Sequence, residues 1–234
     1  MKENQELFSL LKILNCKINP DDISSASNPV ILDFLKKEEA ARKQYRLQRL
    51  FASCGIPGQQ MRTFEQFDWN FNPKIPKQDI MAFKNSNWIE QAANIVLIGD
   101  AGLGKSHIAK ALCYDAILKG FSTYCIPAFD LISRIKKAPS ISSKIDYYGS
   151  AIKVLCLDEL GYTVHQKEDA DLIFQIISKR SELLPTIITT NLPPKQWGSV
   201  FSGPAASAIL DRLSFKGLFL SWEGKSYRSH IKRK

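Results

Sequence analysis

Eight consecutive residues, Gly99-Asp100-Ala101-Gly102-Leu103-Gly104-Lys105-Ser106, match the G-x-x-x-x-G-K-[ST] spacing of a phosphate-binding loop. The residue types explain the chemistry. Glycines let the backbone curl until successive N–H groups point inward at phosphate oxygens, and the helix that starts at the loop's end adds its positive dipole end. Lys105 supplies a point charge for the β- and γ-phosphates, and the Ser106 hydroxyl suits coordination of Mg²⁺. His107 completes the stretch expected to touch nucleotide. A glycine-rich turn with an ordinary surface lysine would carry the same letters. The flanks argue against that: Ile95-Val96-Leu97-Ile98 reads as a buried strand, and His107 to Leu118 as an Ala- and Leu-rich helix.

A second chemical pair lies downstream. The apolar run Val154-Leu155-Cys156-Leu157 ends in Asp158-Glu159, two carboxylates at the C-terminal end of a buried strand. In a doubly wound sheet that end faces the ligand crevice. Asp158 there can hold Mg²⁺ directly or through water, and Glu159 can polarise a water for in-line attack on a γ-phosphate. Two acids capping the turn at Gly161 are the plainer alternative. Asn191 closes the next strand, Thr186 to Thr190, where its amide can reach the γ-phosphate or the attacking water. Taken alone, Thr189-Thr190-Asn191 before Leu192-Pro193-Pro194 would read as the start of a turn. Arg212 sits on a helix, where it either reaches a neighbour's γ-phosphate as an arginine finger or pairs with Asp211 or another acid.

These residues need a scaffold. After Asn94, strand-like runs alternate with helical ones: Phe121 to Ile126, a helix through Lys137, Ala151 to Leu157, a helix from Ala170 to Glu182, then Thr186 to Thr190. That alternation predicts an α/β domain with a parallel sheet flanked by helices. Gly120 is the expected C-cap of the helix after the loop, and Leu172, Ile173, Ile176 and Ile177 are its later counterpart's inward face. The region before is helical. Leu7, Leu10, Leu11 and Leu14 recur at helical spacing, the stretches Asn19 to Asp22 and Ser24 to Asn28 break the pattern, and a second helix runs from near Pro29 to about Ser53. After the second helix, Phe64, Phe67, Trp69 and Phe71 crowd a Pro-containing linker, which predicts a strap laid against the globular domain, with Trp88 on the helix that packs there. The expected division is a small helical N-terminal domain (1–57), an aromatic linker (58–78) and a nucleotide-binding domain (79–234).

The chain has 234 residues, 44% hydrophobic, with a net charge of +9. The charge is unevenly placed: Lys36 to Arg49 is net +4, Arg134 to Lys144 net +4 and Lys225 to Lys234 net +5, so the remainder is acidic. Basic charge gathered in patches is the footprint of a polyanion binder. Candidate DNA contacts are Arg42, Lys43, Arg46 and Arg49, and Arg134, Lys136, Lys137 and Lys144. Glu38 and Glu39, four residues before Arg42 and Lys43, offer intrahelical pairing as the competing explanation. No stretch approaches a membrane span, the polar N-terminus does not read as a signal peptide, and a cytoplasmic, membrane-free protein is expected. The five cysteines form no C-x-x-C pair and support neither a zinc site nor a disulfide framework; Cys125 and Cys156 read as small core residues. The three histidines are too scattered for a metal site. No carboxylate cluster of a nuclease or transposase is present, so strand transfer would fall to another chain.

The order of loop, Asp-Glu strand and Asn-ended strand resembles the AAA+ ATPases. From about Pro29 onward the chain resembles IstB, the helper ATPase of insertion-sequence transposition, which is related to the helicase loaders DnaC and DnaI. Gly99 to Ala109, Leu157 to Tyr162, Ala170 to Arg180, Thr190 to Pro193 with Trp197-Gly198 and Val200-Phe201, Leu210 to Leu213, and Glu223 to Arg228 carry the likeness. The resemblance implies ATP and Mg²⁺ as cofactors, Lys105 and Ser106 on the phosphates and metal, Asp158 and Glu159 as the Walker B pair, and Asn191 as sensor 1. It also implies Arg212 as a trans-acting finger and Arg228 as the sensor 2 arginine. It further implies homo-oligomers on DNA, binding without sequence preference, and a transposase partner. Asp100-Ala101 replaces the more usual Pro-Pro and Leu103 a small polar residue; neither change removes a required group. A replicative helicase as the partner, or a DNA-coating module whose hydrolysis is incidental, are the alternatives.

Overall fold

A computed structural model of the chain describes residues 2–19, 23, 28–161, 167–199, 201 and 203–231. Most of the expected breaks at 19–22 and 24–28, together with Tyr162, His165, Val200 and the basic residues 232–234, lie outside the described residues. The chain divides into two compact units, Met1–Arg49 and Leu50–Lys234.

In the first unit, helix α1 (Lys2–Ile13) carries Leu7, Leu10 and Leu11 on one face, with Leu14 just past its end. All four are buried, together with Leu35 of α2 (Asn28–Ser53). Asn15, at φ +56°, stops α1: its N–H returns to the Lys12 carbonyl at 3.1 Å and the Cys16 N–H to that of Leu11 at 2.9 Å. An asparagine tolerates this left-handed cap better than most side chains. Arg42 of α2 donates to the Leu14 carbonyl at 3.0 Å while its Nε holds Glu38 at 2.6 Å.

The second unit is built on a five-stranded sheet in the order β2 (Thr123–Pro127), β3 (Val154–Leu160), β4 (Thr186–Thr190), β1 (Ile95–Ile98), β5 (Leu218–Ser221). Every pairing is parallel. Parallel neighbours require crossovers, and helices α4 (Lys105–Leu118), α5 (Ala128–Lys136), α6 (Ile141–Asp146), α7 (Lys167–Arg180) and α8 (Gly203–Ser214) lie in the connections. Helix α3 (Lys77–Asn85) precedes the sheet and α9 (Tyr227–Ile231) follows it. Strands β1 and β4 are buried at every position, which is why they read as unbroken runs rather than alternating ones. On α7, Leu172, Ile173, Ile176 and Ile177 turn inward as their spacing predicts. Gly120, at φ +85°, ends α4 as expected, its N–H on the Ile117 carbonyl and the Phe121 N–H on that of Ala116.

Three features depart from the expectation. Leu218–Ser221 is a strand that the alternation did not reveal; it is a four-residue edge strand, only partly buried, and its apolar run Leu218-Phe219-Leu220 is too short to stand out from a loop. Trp88 lies in the turn after α3 rather than on it, buried and stacked on Phe83 at 5.2 Å. Strand β3 does not stop at its acids but runs on to Leu160, with a register shift against β4 between Leu157 and Leu160.

Arg180, at the end of α7, is buried to 1% exposure without a carboxylate partner among its hydrogen bonds. It donates instead to the carbonyls of Tyr148, Ile152, Lys153 and Pro185 and to the Thr186 hydroxyl, at 2.7–3.1 Å. Burial pushes its pKa down to about 9, still well above neutrality, so the cation persists at pH 7. Replacing it with leucine removes a costly buried charge but orphans buried acceptors at about 1–3 kcal/mol each. The orphaned acceptors outweigh the relief. Arg180→Leu is expected to lose about 4 kcal/mol or more of a total near 5–15 kcal/mol, read as a lowered urea midpoint. An unchanged midpoint would show that the carbonyls find water instead.

Candidate active site

The loop between β1 and α4 is held in shape by its glycines. Gly99 has φ +149°, and a Cβ there would sit 2.5 Å from the Trp222 carbonyl oxygen. Gly104 has φ +88°, and a Cβ there would sit 2.6 Å from the Phe67 ring. Only glycine meets both the conformation and the close approach. Leu103 is buried, and its carbonyl accepts the Trp222 indole N–H at 3.1 Å, which ties the loop to the residue after β5. Lys105 Nζ donates to the carbonyls of Gly99 and Asp100 at 2.6 and 2.7 Å. Burial pushes the Lys105 pKa down and Arg228 adds to this, while Asp158, Asp100 and Glu159 pull it back up.

Below the loop, β3 and β4 deliver a chain of hydroxyls and carboxylates. Ser106 Oγ donates to Asp158 Oδ1 at 2.8 Å, and the Thr189 hydroxyl donates to the same oxygen at 2.5 Å. The Thr189 oxygen in turn accepts the Glu159 backbone N–H at 2.9 Å. Glu159 has φ +57°, a left-handed conformation that costs a non-glycine residue about 1–3 kcal/mol. It sits within the register shift, a bulge that re-aims a side chain: Asp158 is buried and Glu159 exposed. Asn191, just past β4, has a buried Oδ1 with no hydrogen-bond partner among the described residues.

Most of these groups line a cleft of about 640 Å³ that includes Ala101 to His107, Glu159, Thr189 to Asn191, Lys225 and Arg228, with Gly99, Asp100 and Asp158 set behind its wall or beyond its edge. The aromatic strap forms part of its wall through Phe67 and Phe71. The strap is tied down as its composition predicts. Phe64 is buried, Phe67 meets His107 edge-on at 5.0 Å, Phe71 meets Tyr227 at 4.9 Å, and Asn72 Nδ2 donates to the Glu223 carbonyl at 2.9 Å. His107 Nε2 donates to the Thr63 carbonyl at 2.8 Å. Burial pushes its pKa down, so the neutral ring anchors the strap to α4.

The other candidate residues lie elsewhere. Arg212 is outside the cleft lining; its guanidinium stacks on Phe174 at 4.8 Å and donates to the Ala208 carbonyl. Among the basic candidates, Arg42 is committed to Glu38 and Leu14, Arg134 to the Tyr124 hydroxyl, and Lys136 to Asp169 at 2.5 Å. Arg49 lies over Tyr45 and Lys144 over Tyr147. Cys113, Cys125 and Cys156, far apart in sequence, bring their sulfurs within 4.8 Å of one another in the core. The hydrogen bond to Cys125, with burial, pushes Cys113 up, and that to Cys113, with burial, does the same for Cys156, whereas the hydrogen bonds from Cys113 and Cys156 pull Cys125 down; the three side chains fill space between α4 and the sheet. Sequence reasoning missed Thr189 and the strap's share of the cleft. The threonine's signal was its position two residues before Asn191, at the C-terminal end of β4.

A parallel sheet in this strand order, with a glycine-rich loop leading from β1 into α4 and an Asp-Glu pair on β3, separated from β1 by β4, defines a P-loop fold of the AAA+ type. The family model of the IstB-like ATP binding protein matches residues 6–234, and the chain belongs to that family. The match begins well before Pro29, so the helix of the first unit is part of it. The chain is 40% identical over 168 residues to the ATP-binding protein of insertion sequence IS232 from Bacillus thuringiensis subsp. berliner, covering 70% of this chain and 67% of that one. It is 30% identical over 245 residues to the ATP-binding protein of insertion sequence IS21 from Pseudomonas aeruginosa, covering 100% and 91%. The crystal structure of the DnaC helicase loader superposes with a TM-score of 0.53 at 26% identity, over 62% of this chain and 86% of that one. Among the described residues no helix is long and apolar enough to cross a membrane.

Proposed function

We propose that this chain is a Mg²⁺-dependent ATPase that assembles on DNA as a homo-oligomer and helps a transposase engage its target. The observation that carries the reading is the linked set Ser106, Asp158, Thr189 and Glu159 beneath a phosphate-binding loop, in a chain whose relatives are ATP-binding proteins of insertion sequences. The loop N–H groups and Lys105 take the β- and γ-phosphates of ATP. Ser106 Oγ and the Asp158 carboxylate are hard oxygen donors 2.8 Å apart, a donor set that fits Mg²⁺; the ion, when bound, would neutralise negative charge on the β- and γ-phosphates. Glu159 orients the attacking water and accepts its proton. Asn191 holds the γ-phosphate or that water, Arg228 adds positive charge from the C-terminal side, and Arg212 acts on a neighbouring subunit's ATP. The reaction is followed by phosphate release with and without duplex DNA; a protein with no turnover in either condition would leave only nucleotide binding. Likeness to the DnaC helicase loader favours a second reading, with a replicative helicase in place of the transposase. Affinity capture with each purified partner separates the two.

DNA binding on α2 is tested at Lys43, Arg46 and Arg49; Arg42 is left in place because its loss would also remove its contacts to Glu38 and the Leu14 carbonyl. Contacts to phosphate carry no sequence information and make affinity steeply salt-dependent. Replacing these three by alanine is expected to reduce the slope of log affinity against log salt by about 2–3, equally on unrelated duplexes. A slope that does not move would assign the stripe to protein contacts.

A further inference from the structure

We propose that Thr189 is a positioning residue for hydrolysis, the group that aims the Glu159 carboxylate by holding its backbone; the proposal rests on the ATPase reading above. Three threonines sit on β4, and their hydroxyls are used differently. Thr186 accepts from Arg180 Nε at 3.1 Å, and Thr190 accepts from the Leu192 N–H at 3.0 Å. Both are structural. Thr189 alone joins the two acids of β3, giving its proton to Asp158 Oδ1 and a lone pair to the Glu159 N–H.

The need for such a group follows from the backbone. The register of β3 against β4 is regular through Leu157 and resumes at Leu160. Glu159 lies in the interval, its backbone turned to φ +57°. A backbone N–H withdrawn from water without a partner is disfavoured, and at this part-buried bulge a side chain substitutes for the ladder. The Thr189 side chain is fully buried, at 0% exposure, and its hydroxyl is that substitute. Because the hydroxyl's only hydrogen is committed to Asp158, its oxygen is left free to accept, and the acceptor direction fixes where the Glu159 N–H points. The carboxylate of Glu159 is exposed in the cleft, so its aim is set through the main chain rather than by side-chain contacts. The same hydroxyl, with Ser106, orients Asp158 through one oxygen, so a single side chain registers both acids of the strand.

Thr189→Val keeps the β-branched shape and removes the hydroxyl, whereas Thr189→Ser keeps the hydroxyl and loses a methyl group. If the hydroxyl positions Glu159, the valine variant binds a fluorescent ATP analogue within about threefold of the native chain but turns ATP over on the order of 10–10² times more slowly, the penalty of a sub-ångström to ångström misplacement. The serine variant recovers most of that loss. A readout independent of turnover is hydrogen–deuterium exchange in the peptide containing 154–161, which speeds up in the valine variant and stays slow in the serine variant. Equal turnover in valine and native proteins overturns the proposal, as does a serine variant as slow as the valine one, which would make the side chain a packing group. Should the valine variant fail to fold, Thr189→Cys, of similar volume but a weaker donor and acceptor, carries the same comparison. Glu159→Gln and native protein run in parallel: a native chain that does not hydrolyse ATP defeats the ATPase reading itself, whereas a native chain that hydrolyses alongside an unaffected valine variant defeats only the role of Thr189.

Discussion

The Glu159→Gln protein binds ATP with close to native affinity and hydrolyses it about 10²–10⁴-fold more slowly, the range that general base catalysis contributes. The substitution is nearly isosteric, and the left-handed turn at position 159 is held by the hydrogen bond from its N–H to Thr189, which a glutamine retains. What disappears is a carboxylate able to take a proton from water. Binding is preserved because the charge on Lys105 is supported more by Asp158 and Asp100 than by Glu159, so the cation that meets the phosphates remains. Affinity is read with a fluorescent ATP analogue and turnover by phosphate release. Native-like turnover would move the base elsewhere in the cleft and leave the Asp-Glu pair as a turn cap.

Arg212→Ala is expected to lose about 10³-fold in turnover at near-native ATP affinity, since an arginine finger is worth at least that much. In the isolated chain the guanidinium rests on Phe174 and the Ala208 carbonyl, outside its own cleft. Lifting it from an aromatic face costs about 0.5–1 kcal/mol, against roughly 4 kcal/mol for a thousandfold rate effect; recruitment by a neighbour's γ-phosphate prevails. The decisive measurement mixes Arg212→Ala with Glu159→Gln. In a head-to-tail assembly, some interfaces then pair the intact Glu159 of one variant with the intact Arg212 of the other, and turnover returns in part although each protein alone is inactive. No rescue at any ratio, together with a lowered melting temperature of Arg212→Ala, would make the stack on Phe174 a structural contact and remove the reason for a shared site.

The part of this design that is local in sequence was legible without coordinates. A phosphate loop is a run of consecutive residues between a strand and a helix, and its glycines, lysine and serine are recognisable because backbone curvature and charge both act over eight positions. Buried central strands announce themselves as β-branched runs, and the inward face of α7 by its helical period. The same logic failed where a local signal is weak. The edge strand Leu218–Ser221 is partly exposed, and Trp88 could not be assigned to the turn rather than the helix, because an apolar residue packs against the same core from either.

By itself the sequence determined the loop, the two acids, the asparagine that follows β4 and the aromatic strap, all properties of neighbouring residues. Only the tertiary structure decided which of them meet. Thr189 bonds to Glu159 thirty positions away because β3 and β4 are hydrogen-bonded neighbours with a shifted register. Phe67 touches Gly104 because the strap crosses the loop. Cys113, Cys125 and Cys156 converge because a helix and two strands share one interior. The fold also separated basic residues that composition had grouped, committing Arg42, Arg134 and Lys136 to partners within their own units. The physical reason is the same throughout: side-chain chemistry is written residue by residue, whereas hydrogen bonds and close packing act over a few ångströms of space, and chain crossover, not sequence distance, sets which groups come that close.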